Sequence, residues 1–214
     1  MTDQEILKKI LHRFYGFEST LQETYRLAQE ASNLEGDLVE CGVAMGSSII
    51  AMHLAAKTKT VWGYDSFEGI QLAGRHDEYQ PGFGDKLDPN RELPEDLLVS
   101  SGITAHRRTD VENHIIELNL PFEQFRLVEG WIQNTLPLPD NQPGPIAMLR
   151  LDMDMHDPTV VAMDYLWDKL VPGGILIVDD WGYTGVQKAV HDHFRKIGYL
   201  PNWQTPNHTG WLRK

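Results

Sequence analysis

The sequence predicts an open α/β fold: a mostly parallel, Rossmann-like sheet closed by a C-terminal antiparallel hairpin. Three observations predict it. Residues 146–151 and 175–178 are short apolar runs, interrupted only by Arg150, of the kind that form parallel strands covered on both faces. The segment between them is long enough for the crossover helix that parallel pairing requires. Each run ends in acids, Asp152 and Asp154 after the first and Asp179 and Asp180 after the second. In open α/β sheets the carboxyl ends of the strands are where ligands sit.

Composition narrows the possibilities. With 31 Asp and Glu against 19 Lys and Arg, the net charge of -12 disfavours a nucleic-acid-binding surface, which needs clustered cations. No apolar window approaches membrane-spanning length. The N-terminus lacks the apolar core of a signal peptide, and Cys41 is the single cysteine, so a reducing, cytoplasmic setting is expected. The length suits one core. We divide the chain into a helical cover or lid over residues 1–33 and a main domain over 34–214.

Residues 3–31 carry apolar side chains at helical spacing, with a break near Gly16. A strand is expected over 38–43, with Gly42 and Gly46 flanking the turn into a helix that starts near Ser47 or Ser48. Glycines there let a backbone approach a ligand, and the helix start offers unpaired N–H groups. A second strand over 60–64 ends in Asp65, 23 residues beyond Gly42. That spacing suits a carboxylate accepting both hydroxyls of an adenosine ribose, with Ser66 beside it. The glycine pattern G-x-x-x-G is neither the G-x-G-x-x-G of nicotinamide enzymes nor a phosphate-binding loop. Glu40 stands where a structural strand prefers an apolar residue, and a carboxylate there suits the amino group of S-adenosylmethionine.

Residues 68–98 are polar and punctuated by Gly and Pro. We expect a substrate-side loop with His76, Tyr79 and Phe83 as candidate contacts. A helix is expected over 111–118, capped by Asp110. A third strand over 125–128 ends at Glu129 and Gly130, and Trp131 follows, placed to wall off or stack on an adenine. The crossover helix is expected to bury Val160, Val161, Tyr165, Leu166 and Leu170, and Pro172, Gly173 and Gly174 to end it. A last helix starting at Thr184 or Gly185 turns Val186, Val190 and Phe194 inward. His191 and His193, two apart, share no helical face and make a poor metal pair. Residues 199–203 and 210–212 form the expected hairpin, with His208 between them a minor site candidate.

Four carboxylates brought together repel one another, and a divalent cation is the obvious compensation. With no cysteine or suitably spaced histidine in the set, Mg²⁺, or Ca²⁺ or Mn²⁺, fits better than zinc. Asp152, Asp179 and Asp180 are the chosen ligands, although strand geometry alone leaves Asp152 and Asp154 equivalent. A bound Mg²⁺ lowers the pKa of a coordinated hydroxyl and fixes its position. Asp152 is the candidate for both ligand and general base.

In this order, GDLVECGVAMGSS, YDSFEG, GWIQNTLP, LRLDMD and GGILIVDDWG resemble the macrocin O-methyltransferase family. These are metal- and S-adenosylmethionine-dependent enzymes that methylate hydroxyls, chiefly on sugars of natural products. The resemblance covers about residues 34–214. It implies a Rossmann-like class I methyltransferase fold with a mostly parallel seven-stranded sheet and a C-terminal antiparallel hairpin. It also implies a small-molecule hydroxyl acceptor and a homodimer. Asp152 then resembles the metal ligand and proposed base, which tips the choice away from Asp154. Asp179 and Asp180 resemble the other ligands, Asp65 the ribose acceptor, and Glu40 and Gly42 the methionine side. Ser47, Ser66, Glu129, Gly130, Trp131 and Asp152 complete the expected cofactor contacts.

Met153 and His156 depart from the family pattern around LDxD, and His156 is a candidate second base. A catecholic acceptor, a metal hydrolase and a non-catalytic cofactor-binding protein are the competing readings. Asp65 and the glycine loop would have no task in the hydrolase.

Overall fold

The structure is a computed structural model, and it describes residues 1–77, 98–206 and 209–214. Tyr79, Phe83 and His208 lie outside the described residues.

The strands are β1 (Asp37–Cys41), β2 (Val61–Asp65), β3 (Phe125–Glu129), β4 (Ile146–Leu151), β5 (Leu170–Val178) and β6 (Gly210–Arg213). They form one sheet in the order β3-β2-β1-β4-β5-β6, with all neighbours parallel except β5 and β6. Among the described residues the expected seventh strand is reduced to a single antiparallel bridge between Gln204 and Trp211, and the sheet has six strands. Strand order reverses between β1 and β4, and ligand crevices open at such a switch point.

Helices α1 (Asp3–Leu11), α2 (Glu18–Ala31), α3 (Ser47–Ala55) and α4 (Arg108–Glu117) precede the short α5 (Ile132–Thr135). The crossover helix α6 (His156–Leu166) and α7 (Thr184–Ile197) complete the chain. The sheet separates two apolar clusters. One holds Ile10, Leu27, Ile50, Met52 and Val111 from α1 to α4. The other holds Ala162, Met163, Leu166, Val190 and Phe194 from α6 and α7. Burial of both strand faces explains why β4 is apolar at every position but one.

Several local expectations shift. Strand β1 stops at Cys41 because Gly42 takes φ +93, which ends extended geometry. Asp110 is not the N-cap of α4. It lies inside the first turn and accepts from the N–H of Arg107 at 3.1 Å. Pro172, Gly173 and Gly174 do not end α6. A 3₁₀ turn at Trp167–Lys169 does, and the three residues form the irregular start of β5. The buried face of α6 is Thr159, Ala162, Met163 and Leu166, whereas Val160 and Val161 are half-buried and Tyr165 is exposed. One residue of rotation separates the expected face from the real one, because β-branched residues alone do not define a stripe on so short a helix.

The N-terminal helices pack on α3 and on the sheet. The break between them, including Tyr15, Gly16 and Phe17, lines the large cavity. The segment therefore covers the sheet with its helices and walls the cavity with its hinge.

Candidate functional site

A cavity of about 390 Å³ opens at the carboxyl ends of β1, β2, β3, β4 and β5. At one end it is lined by Asp65, Ser66, Gly130 and Trp131, and at the other by Asp152, Asp154, Asp179 and Asp180, with Gly42 between.

At the first end, Asp65 finishes β2 under the β1–α3 turn. Its Oδ2 accepts from the N–H groups of Val43 at 2.7 Å and Ala44 at 2.9 Å, and its Oδ1 from that of Phe67 at 2.7 Å. Burial pushes its pKa up while these three bonds pull it down. A carboxylate offers about four acceptor sites, so the turn uses most of its capacity. Gly42 is obligatory here: a Cβ would stand 1.7 Å from the carbonyl oxygen of Asp152. The close approach places the β1 turn directly against the start of the acidic loop. Ser66 donates to Gly69 O at 3.0 Å. Gln133 donates to Gln71 at 2.6 Å across the same wall.

At the acidic end, Leu151 and Val178 are paired residues in register. The strands thus deliver Asp152 and Asp179 side by side, with Asp180 next. One carboxylate oxygen from each of Asp152, Asp179 and Asp180 lies within 4.8 Å of the others. Such a set of oxygen donors suits a hard divalent cation. Asp154 adjoins it in a left-handed conformation, φ +63, and its N–H donates to Asp180 Oδ2 at 2.8 Å. Burial, then the charges of Asp152 and Asp179, push Asp154 up to about 8. Burial and the neighbouring acids raise Asp180 well above the usual carboxylate range. Tyr183, on the same wall, is pushed up to about 12 by burial and by these acids.

Cation-independent compensation exists as well, and the sequence reading missed it. Arg150 is fully buried. Its Nη1 donates to Glu40 Oε1 at 2.5 Å and Asp152 Oδ2 at 2.6 Å, and its Nη2 to Asp179 Oδ1 at 2.6 Å. The signal was present: Arg150 precedes Asp152 by two, so strand alternation puts both on one face.

The remaining expected residues scatter. Glu40 does not line the cavity. It is fully buried, taken up by Arg150 and by the Ser48 hydroxyl at 2.7 Å. Desolvation raises its carboxyl to about 7 against the pull of Arg150. Ser47 is buried and donates to Ile10 O at 2.9 Å, tying α3 to α1. Glu129 is exposed at the end of β3. His156 starts α6 outside the cavity lining. Its Nδ1 lies 2.7 Å from Asp157 Oδ1, and its ring meets that of His76 at 4.3 Å. Asp77 accepts from the His156 N–H at 2.8 Å and from the Gly74 N–H at 2.8 Å, anchoring the start of the 68–98 segment. His191 is exposed, and His193 pairs with Asp164 at 3.0 Å. The aromatic wall from Tyr15 and Phe17 was not foreseen, because residues before a helix carry no periodic signal.

The comparisons agree with this architecture. The family model described as Macrocin-O-methyltransferase matches residues 18–202. An 8-demethyl-8-(2,3-dimethoxy-alpha-L-rhamnosyl)-tetracenomycin-C 4'-O-methyltransferase from Streptomyces olivaceus is 32% identical over 173 residues, 78% of this chain and 61% of the relative. A demethyldecarbamoylnovobiocin O-methyltransferase from Streptomyces niveus is 33% identical over 169 residues, 77% of this chain and 60% of the relative. The chain thus spans about three fifths of these curated relatives. Among solved structures, the O-methyltransferase NovP superposes with a TM-score of 0.74 at 25% identity, covering 92% of this chain and 80% of that one. A calicheamicin methyltransferase, CalS11, shares the fold with a TM-score of 0.65 at 18% identity, covering 98% of this chain and 90% of that one. On the family match and the sheet together, this chain belongs to the macrocin-O-methyltransferase family.

Proposed function

We propose that this protein transfers a methyl group from S-adenosylmethionine to a hydroxyl of a small natural-product molecule, a sugar or a phenol, with Mg²⁺ at the acidic end of the cavity. The observation that carries the reading is the convergence of Asp152, Asp179 and Asp180 within 4.8 Å at the ends of two paired strands. They open into the same cavity as Asp65 and Trp131. When bound, the sulfonium cofactor supplies an electrophilic methyl group and the cation a Lewis acid for the acceptor hydroxyl.

The chain's own residues do the rest. Asp65 and Gly42 shape the nucleoside end, where Asp65 retains an acceptor site for a ribose hydroxyl and Trp131 offers its ring to a base. Asp152, Asp179 and Asp180 hold the cation. The Arg150 guanidinium holds one oxygen of Asp152 at 2.6 Å. Asp154 lines the cavity and carries no ion pair among the described residues. We therefore take Asp154 as the proton acceptor, ahead of Asp152, whose oxygen is engaged by Arg150, and His156, which lies outside the cavity lining. Tyr15, Phe17 and Tyr183 line the cavity and offer rings to the acceptor. The Streptomyces olivaceus relative acts, by its name, on a rhamnosyl-bearing tetracenomycin, which supports the acceptor class.

Calorimetric titration with S-adenosylhomocysteine, with and without Mg²⁺, tests the reading. Binding that survives removal of Mg²⁺, and Mg²⁺ binding lost in Asp179→Asn with Asp180→Asn, are expected. Absence of any cofactor binding would reject it.

A further inference from the structure

Arg150 is the one charged side chain in an otherwise apolar β4, and it is wholly buried. A buried guanidinium needs paired carboxylates, and here both Nη atoms are engaged while Nε has no hydrogen-bond partner. One carboxylate would suffice for pairing, and its neighbour across the sheet, Glu40, already stands in register with it. The fork nevertheless reaches on to Asp152 and Asp179, which lie at the ends of two different strands and face the cavity. Behind it, Glu40 is itself held by the Ser48 hydroxyl of α3. A connected path therefore runs from α3 through Glu40 and Arg150 to two of the three converging acids.

We infer that Arg150 is a positioning residue for the cation site, setting the direction of Asp152 and Asp179 so that their oxygens converge with Asp180. The inference rests on the cation reading given above. The planar guanidinium, with donors in a fixed fork, suits this role. A lysine ammonium carries the same charge from a single point and cannot span two carboxylates and Glu40 together. The positive charge itself works against a bound cation, so what Arg150 contributes to binding is geometry. Substitution that keeps the charge and removes the fork separates the two effects.

The test is Mn²⁺ binding to the metal-free protein, followed by calorimetry and by the electron paramagnetic resonance signal of the ion. Circular dichroism and melting temperature serve as controls for folding. Arg150→Lys is expected to weaken Mn²⁺ binding about tenfold or more, the size typical of lost partners behind metal ligands. Its Mn²⁺ spectrum should also differ from that of the wild type. Glu40→Gln, which loosens the anchor of the same guanidinium and leaves the fork in place, is expected to weaken binding in the same direction by a smaller factor. It decides the question if Arg150→Lys does not fold. Wild-type affinity and spectrum in a folded variant would overturn the positioning role while leaving the cation reading intact. A wild-type protein that binds no Mn²⁺ would overturn both.

Discussion

The N–H of Asp154 donates to Asp180 Oδ2 at 2.8 Å, joining the two acids of the rim that Arg150 does not reach. Both are pushed upward by burial and by neighbouring acids, Asp154 from 3.8 to about 8. A carboxyl with a raised folded pKa binds its proton more tightly when folded, so stability declines as pH rises between the unfolded and folded values. The metal-free protein should lose melting temperature as pH rises from about 4 toward about 8 through Asp154, with Asp180 adding to the loss in the same direction. Asp154→Asn should flatten that slope and be the more stable form at pH 8.5, with little difference near pH 4. Adding Mg²⁺ at pH 8.5 should restore the wild type more than the variant. A melting series in the presence of chelator, then of Mg²⁺, checks both points.

The same substitution separates proton acceptor from ligand. Asp154→Asn should retain S-adenosylhomocysteine binding and lower kcat by about a hundredfold, the usual scale of a lost general base. Single-turnover methyl transfer against pH is the measurement, and a rate within a few-fold of wild type would return the base to Asp152.

Gly42 has no room for a side chain, because its Cβ would meet Asp152 O at 1.7 Å and its φ is +93. Gly42→Ala should destabilise by about 3 kcal/mol or more, since backbone must move and the left-handed conformation is strained as well. Urea unfolding gives the stability, and cofactor binding should fall with it.

Asp65 accepts three backbone N–H bonds that hold the β1–α3 turn. Asp65→Ala should cost about 3 kcal/mol, from three buried donors left with at most water. Asp65→Asn should cost less, because one oxygen remains. Titration with S-adenosylhomocysteine should show weakened affinity in both, beyond any effect of incomplete folding.

Gly185 opens α7 against Asp77, with an added Cβ falling 2.1 Å from Asp77 Oδ1. That oxygen also receives the N–H of His156. Gly185→Ala and Asp77→Ala should each destabilise by about 1–2 kcal/mol. The double variant should lose less than the two together, because both break one contact. A double-mutant cycle in urea measures the coupling.

Much of the fold was legible because burial on both faces and alternation in period leave direct marks. The apolar strands β4 and β5, the glycine turn after β1 and the inward face of α7 all carry such marks. So does the convergence of Asp152 with Asp179 and Asp180, because parallel pairing brings strand ends together. Boundaries were less legible. The Pro172-Gly173-Gly174 run signals a break in any context, and only the partner strand decides that it begins β5.

By itself the sequence determined the parallel sheet and the acids at its carboxyl edge, which follow from local pattern and strand topology, and its motifs carried the family resemblance. Only the tertiary structure decided what stands between those acids. Strand pairing puts Glu40 beside Arg150 and draws the guanidinium across to Asp152 and Asp179. Glu40, which lay open to a cofactor role on sequence grounds, is thereby turned into an internal counterion. The distance between two charges distant in sequence sets whether a carboxylate meets a ligand or its own chain, and only packing sets that distance.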